Sequence, residues 1–443
     1  VTNTKNITLT GNEVIGAFGT NSSNINLTSG TVSLTGNKST GYYLNGGTGS
    51  SISSPTKINI TGDESNGVYI NNGSSLAYSG DTKVTGDAAY GLIVDGGSNV
   101  SAIGGTLTVG GTGTSPSKAN ANRGSAALVV TKNSTLGGGK LDVTANVSGK
   151  NSVGIYMKDG TGLTNLGEIL STQEGAKGLV LNSNTANTYT NLGKIKLTGT
   201  GSIGIHTEGA AHSIISSADV EVGNTTGANQ SVAIHLKDGG QVRVLSHTSV
   251  KAGKSSIGIY GTTTLATIEN NANVEIGDGG IGIYAKGGDV NLDTGSKMTI
   301  GKTLGKDKEA VGVYYVGNSG TVNNNLSSFN IGKGSIGIID AGTGTSTVNN
   351  NLSSVNLQGD SVYTYTSNTR SNVIGNTKIT SSGNGNYGYY VAGNLTNNTG
   401  ANMDFSSGVG NVGIYSAYRT GTGIARNYAN INVGKTDLEN ELY

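Results

Sequence analysis

The sequence predicts an all-β chain folded as a parallel β-helix, a solenoid of about sixteen coils with about 25 residues per coil. Three observations predict it. A short phrase, Ser/Asn-x-Gly-Ile/Val-Tyr, returns along the whole chain. Apolar residues inside each repeat alternate with the period of two that marks a strand, not the 3.6 of a helix. Gly and Asn gather between the alternating runs, where a coil has to turn a corner.

The phrase is clear at Gly154-Ile155-Tyr156, Gly204-Ile205-His206, Gly258-Ile259-Tyr260, Gly282-Ile283-Tyr284, Gly312-Val313-Tyr314, Gly337-Ile338-Ile339 and Gly413-Ile414-Tyr415. Degenerate copies such as Gly67-Val68-Tyr69, Gly91-Leu92-Ile93 and Tyr363-Thr364-Tyr365 bring the count to sixteen, and eleven of the fifteen spacings are 24–26 residues. The three largest deviations predict insertions in 111–124, 225–230 and 302–309. Residues 1–443 otherwise read as a single β-helix. Each unit carries a second alternating run, as in Val274/Ile276 and Phe329/Ile331, with an Asn-rich corner between the two runs. The only helix-like piece is 437–443.

Aligned by the phrase, the coils form three ladders. Val68, Leu92, Leu128, Ile155, Ile205, Ile259 and their equivalents point inward and fill the bore. Asn165, Asn191, Asn270, Asn325, Asn351 and Asn427 form a corner ladder, where Asn tolerates left-handed backbone and bonds to the same amide one coil on. The residue two after the Gly points outward, and nine of the chain's 20 Tyr occupy it. The Gly is read as lying on this same outer face, leaving room for a ring over the backbone. Tyr156, Tyr260, Tyr284, Tyr314, Tyr365, Tyr390 and Tyr415 are therefore candidate contact residues on an exposed aromatic stripe. Stacked rings also stiffen a strand face, and the two roles are compatible.

Composition narrows the function classes. Gly is 75 of 443 residues, Pro 2 and Cys 0, and 28 Lys+Arg balance 27 Asp+Glu to +1. So even a balance argues against a nucleic-acid or membrane-surface binder, which needs a dense basic patch. No apolar run approaches the ~18 residues of a membrane-spanning helix. The absence of Cys fits a bacterial surface chain that crosses the periplasm unfolded. Catalysis on this fold needs carboxylates clustered from adjacent coils. The nearest pairs are Asp63/Asp87 and Glu275/Asp278, both at polar corners where Asp is a turn former. His206 and His235 fall one repeat apart, without a third ligand in the pattern, and read as ring substitutions in the stripe. Neither a catalytic site nor a metal or other cofactor is expected.

The paired phrases Ser152–Tyr156 with Asn165–Ile169, Ser256–Tyr260 with Asn270–Ile276, and Ser335–Ile338 with Asn349–Leu357 resemble the passenger domains of large type V autotransporters, most closely the fusobacterial outer-membrane adhesins. The resemblance covers essentially the whole chain. It implies a right-handed β-helix displayed at the cell surface and anchored by a C-terminal β-barrel not present here, so that the 443 residues are a segment of a longer passenger. It also implies attachment to host cells or other bacteria, through a surface protein or glycan receptor, in coaggregation, biofilm and virulence. Loops that break a repeat are the better candidates for a discrete receptor site. Pro116, Lys118 and Arg123 in the first insertion, and Lys306 and Lys308 in the third, are the binding-loop candidates. Two alternatives remain: a purely structural stalk, and a polysaccharide-degrading β-helix enzyme.

Overall fold

The computed structural model describes residues 1–111, 124–131, 133–137, 140–142, 144–159, 163–417 and 423–435. Among them every regular element is a strand, and the strands pair in parallel with partners about one repeat away. The chain is a β-solenoid of about sixteen coils. It divides into two compact units, Val1–Ile214 with Ala218–Val222, and Gly223–Tyr443 with Ile215–Ser217. The predicted helical piece at 437–443 lies outside the described residues.

In the first unit, the recurring phrase forms eight successive parallel strands, from Ile15–Thr20 and Thr40–Asn45 through Tyr90–Val94 and Ala126–Val130 to Lys177–Asn182 and Ile203–Glu208. The second unit builds the same sheet from eight more, Val232–Leu236 through Val412–Ser416. Two further strands complete most coils. In the second unit, for example, Thr264–Ile268 pairs with Val290–Leu292, and Asn273–Ile276 pairs with Lys297–Ile300. Each coil buries its apolar side only against its own interior and its neighbours, so stability is cooperative along the stack.

The alternation is not strict. Ile203 is half-buried, Gly204 and Ile205 are both buried, and His206 is half-buried again. The glycine therefore faces the bore, not the outer surface as the sequence reading has it. A Cβ built on Gly312 would lie 2.3 Å from the Phe329 ring and 2.5 Å from the Gly337 carbonyl oxygen. The residues that replace this glycine agree: Ala127, Ala233 and Tyr363 are all fully buried. The position is small because the interior is full at the corner.

A second glycine column has a different cause. At the next corner, a Cβ on Gly36 would meet the Gly11 carbonyl oxygen at 1.9 Å, and one on Gly62 would meet that of Gly36 at 2.0 Å. Backbones of successive coils touch there. Beside them, Asn12, Asn37 and Asp63 each accept the backbone N–H of the residue one coil on, at 2.8–2.9 Å. The Ser of the phrase is a buried peg in the same corner. Ser335 Oγ donates to the Gly301 carbonyl at 2.9 Å, and Ser361 Oγ to that of Gly332 at 3.2 Å. The sequence shows this Ser repeating, but its role is visible only when the coils are stacked.

The asparagines do not form one ladder. Asn165 donates to Asn191 at 2.9 Å inside the first unit. In the second, Asn351, Asn376 and Asn398 donate in series along an exposed corner that begins at Asn325, at 2.7–2.8 Å. Asn427 belongs to the adjacent register, accepting from Asn397 at 2.8 Å. Asn323 and Asn349 make another line from Asn291. Consecutive Asn residues point to alternate sides of a strand, so a run of three feeds parallel ladders.

Candidate functional site

The stripe is present in both units and is half-buried rather than exposed. In the first, Tyr43 stacks on Tyr69 with ring centres 5.1 Å apart and planes within 5°. In the second, Tyr260, Tyr284 and Tyr314 stack at 5.3 and 5.0 Å, and Tyr365, Tyr390 and Tyr415 at 4.9 and 4.6 Å. Rings held one strand spacing apart cover one another's faces and present their edges and hydroxyls to solvent. Of the seven candidate tyrosines, only Tyr415 is classed as exposed, at 41 %. Lys286 Nζ lies 5.3 Å from the Tyr260 ring centre and 5.9 Å from that of Tyr284, adding a cation to the column. Burial is the main cause that raises the Tyr284 hydroxyl pKa above the ordinary phenol value.

In the first unit, the stripe runs Tyr69, Ile93, Val129, Tyr156, Val180, His206 in register. Where the rings give way to aliphatic side chains, the surface sinks into a groove of about 930 Å³. Ile93, Val129 and Val180 lie along it, with Tyr69, Tyr90 and Tyr156 as aromatic walls. Its charged groups are Asp95, Asp159 and Glu208 against Lys158 and Lys177, with the His206 imidazole beside them. Tyr69 OH donates to Asp95 at 3.3 Å, and Thr131 Oγ1 donates to the other oxygen of the same carboxylate. Burial, reinforced by the Asp95 charge, raises the Tyr69 hydroxyl pKa. Gly124 also lines the groove, at the end of the first insertion. Pro116, Lys118 and Arg123 lie outside the described residues.

In the second unit, two insertions flank one groove of about 560 Å³. Each belongs to the connection that leads into a stripe strand, Val232–Leu236 for 225–230 and Val311–Tyr315 for 302–309. Thr225 and Gly227 stand on one side, Leu304 and Lys308 on the other, and the groove reaches Tyr314 and Ile339. The second loop is held by its own hydrogen bonds: Leu304 N to Lys308 O at 3.0 Å, Lys308 N to Gly305 O at 3.1 Å, and Thr303 Oγ1 to Gly305 O at 2.8 Å. Candidates Tyr314 and Lys308 thus share one cleft. Lys306 is exposed on the same loop and does not line it.

The acids considered for catalysis have structural partners. Asp63 accepts the Asp87 N–H at 2.8 Å. Glu275 pairs with Lys251 at 2.9 Å, and Asp278 with Lys254 at 4.0 Å. Lys150–Glu174, Lys196–Glu221 and Lys333–Asp360 are further pairs between successive coils, which explains how the charges cancel. Exposed pairs of this kind contribute little individually. His206 Nε2 lies 3.7 Å from Glu208, His235 meets the Tyr260 ring edge-on, and His212 is buried, its Nδ1 accepting the Asn187 N–H at 3.2 Å. Among the described residues, no group of three or more His, Asp or Glu is placed to hold a metal ion, and no helix is long and apolar enough to cross a membrane.

The fold and its stripe define a repetitive β-solenoid. No protein family, no curated protein and no solved structure matches the chain.

Proposed function

We propose that this chain is a recognition segment of a bacterial cell-surface adhesin, which attaches to host cells or other bacteria through a surface protein or glycan receptor. One observation carries the reading. In the second unit, the two insertions that break the repeat flank a single cleft, and that cleft ends on the tyrosine stripe at Tyr314. Repeated weak contacts along the stripe supplement the cleft, and avidity of this kind raises apparent affinity by about 10²–10⁴ without a new contact.

The test uses the purified chain, monomeric and clustered on beads, against epithelial and bacterial cells. Saturable binding by the clustered form is expected. It should fall at least tenfold when Tyr260, Tyr284 and Tyr314 are changed together to Ser, or when Lys308 is changed to Ala. A well-folded sample that binds nothing overturns the reading and leaves a stalk. Release of reducing ends from a polysaccharide would make it an enzyme.

A further inference from the structure

We infer that the tyrosine stripe is a site of oxidative cross-linking, where stacked neighbours such as Tyr260, Tyr284 and Tyr314 couple carbon to carbon into dityrosine and staple successive coils. The inference goes beyond the adhesin reading and does not depend on it. Tyr260, Tyr284 and Tyr314 occupy paired positions of three successive strands, in register. Their ring centres lie 5.3 and 5.0 Å apart, with planes within 18° and 5°. Tyr43 and Tyr69 repeat the arrangement in the first unit, at 5.1 Å and 5°. All five residues are half-buried on the outer face of the sheet, within reach of solvent. Composition directs an oxidant to these rings. The chain has no Trp and no Cys, which would otherwise be oxidised first, and its three Met, Met157, Met298 and Met403, are buried. The phenols are therefore the most readily oxidised groups that a one-electron oxidant meets at the surface.

The step balances with hydrogen peroxide as the oxidant, acting through a haem peroxidase that takes electrons one at a time. Each of two tyrosines gives up one electron and its phenolic proton and becomes a neutral phenoxyl radical. The two radicals pair their electrons in a new bond between carbons ortho to the oxygens. The hydrogen on each of those carbons then shifts to the oxygen and restores both phenols. Two electrons and two protons leave the pair and convert one peroxide to two waters. Register selects the partners. Strands one spacing apart hold the two radicals side by side, which replaces a bimolecular encounter by an intramolecular one. Closing a carbon–carbon bond of about 1.5 Å from these separations asks each ring to swing by about 2 Å. Side chains on the outer face have that freedom. Tyr363 and Tyr389, with ring centres 6.0 Å apart in the packed interior, do not.

The experiment treats the purified chain, dilute enough to suppress links between molecules, with hydrogen peroxide and a haem peroxidase. Dityrosine fluorescence reports the reaction, and mass spectrometry of the digested chain locates each link as a loss of two hydrogens. Links Tyr260–Tyr284, Tyr284–Tyr314 and Tyr43–Tyr69 are expected, with Tyr363 and Tyr389 unmodified. The variant Tyr284→Phe keeps a ring in the stack, so the fold should be retained, checked by circular dichroism. It should remove the first two links and leave Tyr43–Tyr69. If that variant misfolds, the native chain is compared with the chain unfolded in urea, where the yield of these links should fall at least tenfold. Linkage spread over tyrosines that are not register neighbours overturns the inference, as do equal yields of these links in native and unfolded chain. Absence of dityrosine from the folded chain, under conditions that couple free tyrosine, overturns it as well.

Discussion

Tyr363 and Tyr389 lie in the interior of the second unit with ring centres 6.0 Å apart and planes tilted by 57°, yet they occupy different positions of the repeat. Tyr363 stands where the phrase has its glycine, followed by the small Thr364. Tyr389 stands where the phrase has Ile or Val, preceded by Gly388. Each of these two coils carries one large and one small residue at two adjacent inward positions. Interior volume is conserved from coil to coil while its source moves by one residue.

The two phenols differ in their partners, and phenylalanine should separate them. Tyr363 OH lies 3.1 Å from Thr377 Oγ1 and accepts from Asn324 Nδ2 at 3.1 Å. Tyr389 OH is buried without a hydrogen-bond partner. Tyr363→Phe should destabilise by about 1 kcal/mol or somewhat more, since it strands buried partners, whereas Tyr389→Phe should be neutral or stabilising by about 1 kcal/mol. Urea denaturation of both variants checks this, and equal destabilisation would count against the assignment.

Gly312→Ala should destabilise by about 1–3 kcal/mol, because the new methyl meets the Phe329 ring and a backbone carbonyl that has no room to retreat. If the glycine faced outward to make room for rings, the same change would cost no more than a few tenths. A melting curve distinguishes the two.

Alkaline pH should unfold the chain through its buried phenols. Burial pushes Tyr42 and Tyr315 up to about 12, and raises Tyr78, Tyr363 and Tyr389 well above the ordinary phenol value. A folded-state pKa above the unfolded one favours the protonated folded form. Its stabilisation is fully present below pH ~10 and is lost as pH rises toward 12. Ionisation of this buried set, followed by phenolate absorbance, should coincide with loss of the β-sheet dichroism signal. Full ionisation in a still-folded chain would contradict the burial.

Lys308 and Tyr314 line one cleft, so their effects on cell attachment should be coupled. Lys308→Ala and Tyr314→Ser should each weaken attachment, and the double variant should lose less than the product of the two factors. Lys306→Ala, on the same loop but away from the cleft, should have the smaller effect. A flow-cell adhesion assay with equal protein coating measures all four.

Much of this molecule was legible in the repeat. The coil length, the phrase strand and the inward ladder through Val68, Leu92 and Ile155 all follow from text that recurs every ~25 residues. A stacked coil meets the same constraints as its neighbour, so the constraint is written many times. Less legible was anything set by a single corner. The period-two pattern assigns Gly312 to the outer face, but Val311, Gly312 and Val313 are all buried in succession. Asn325 reads in sequence as a rung of one ladder, yet it and its neighbours Asn323 and Asn324 feed three separate lines.

The sequence by itself determined that the chain is a parallel β-solenoid, because alternation and repeat length admit no other way to bury these residues. It also determined which side chains form the stripe. Only the tertiary structure decided that the stripe is half-buried, its rings covering one another where they stack in succession, and that residues as far apart as Thr225 and Lys308 border one cleft. Those relationships depend on residues a coil or more apart in sequence that stacking brings to within a few strand spacings, each about 4.8 Å.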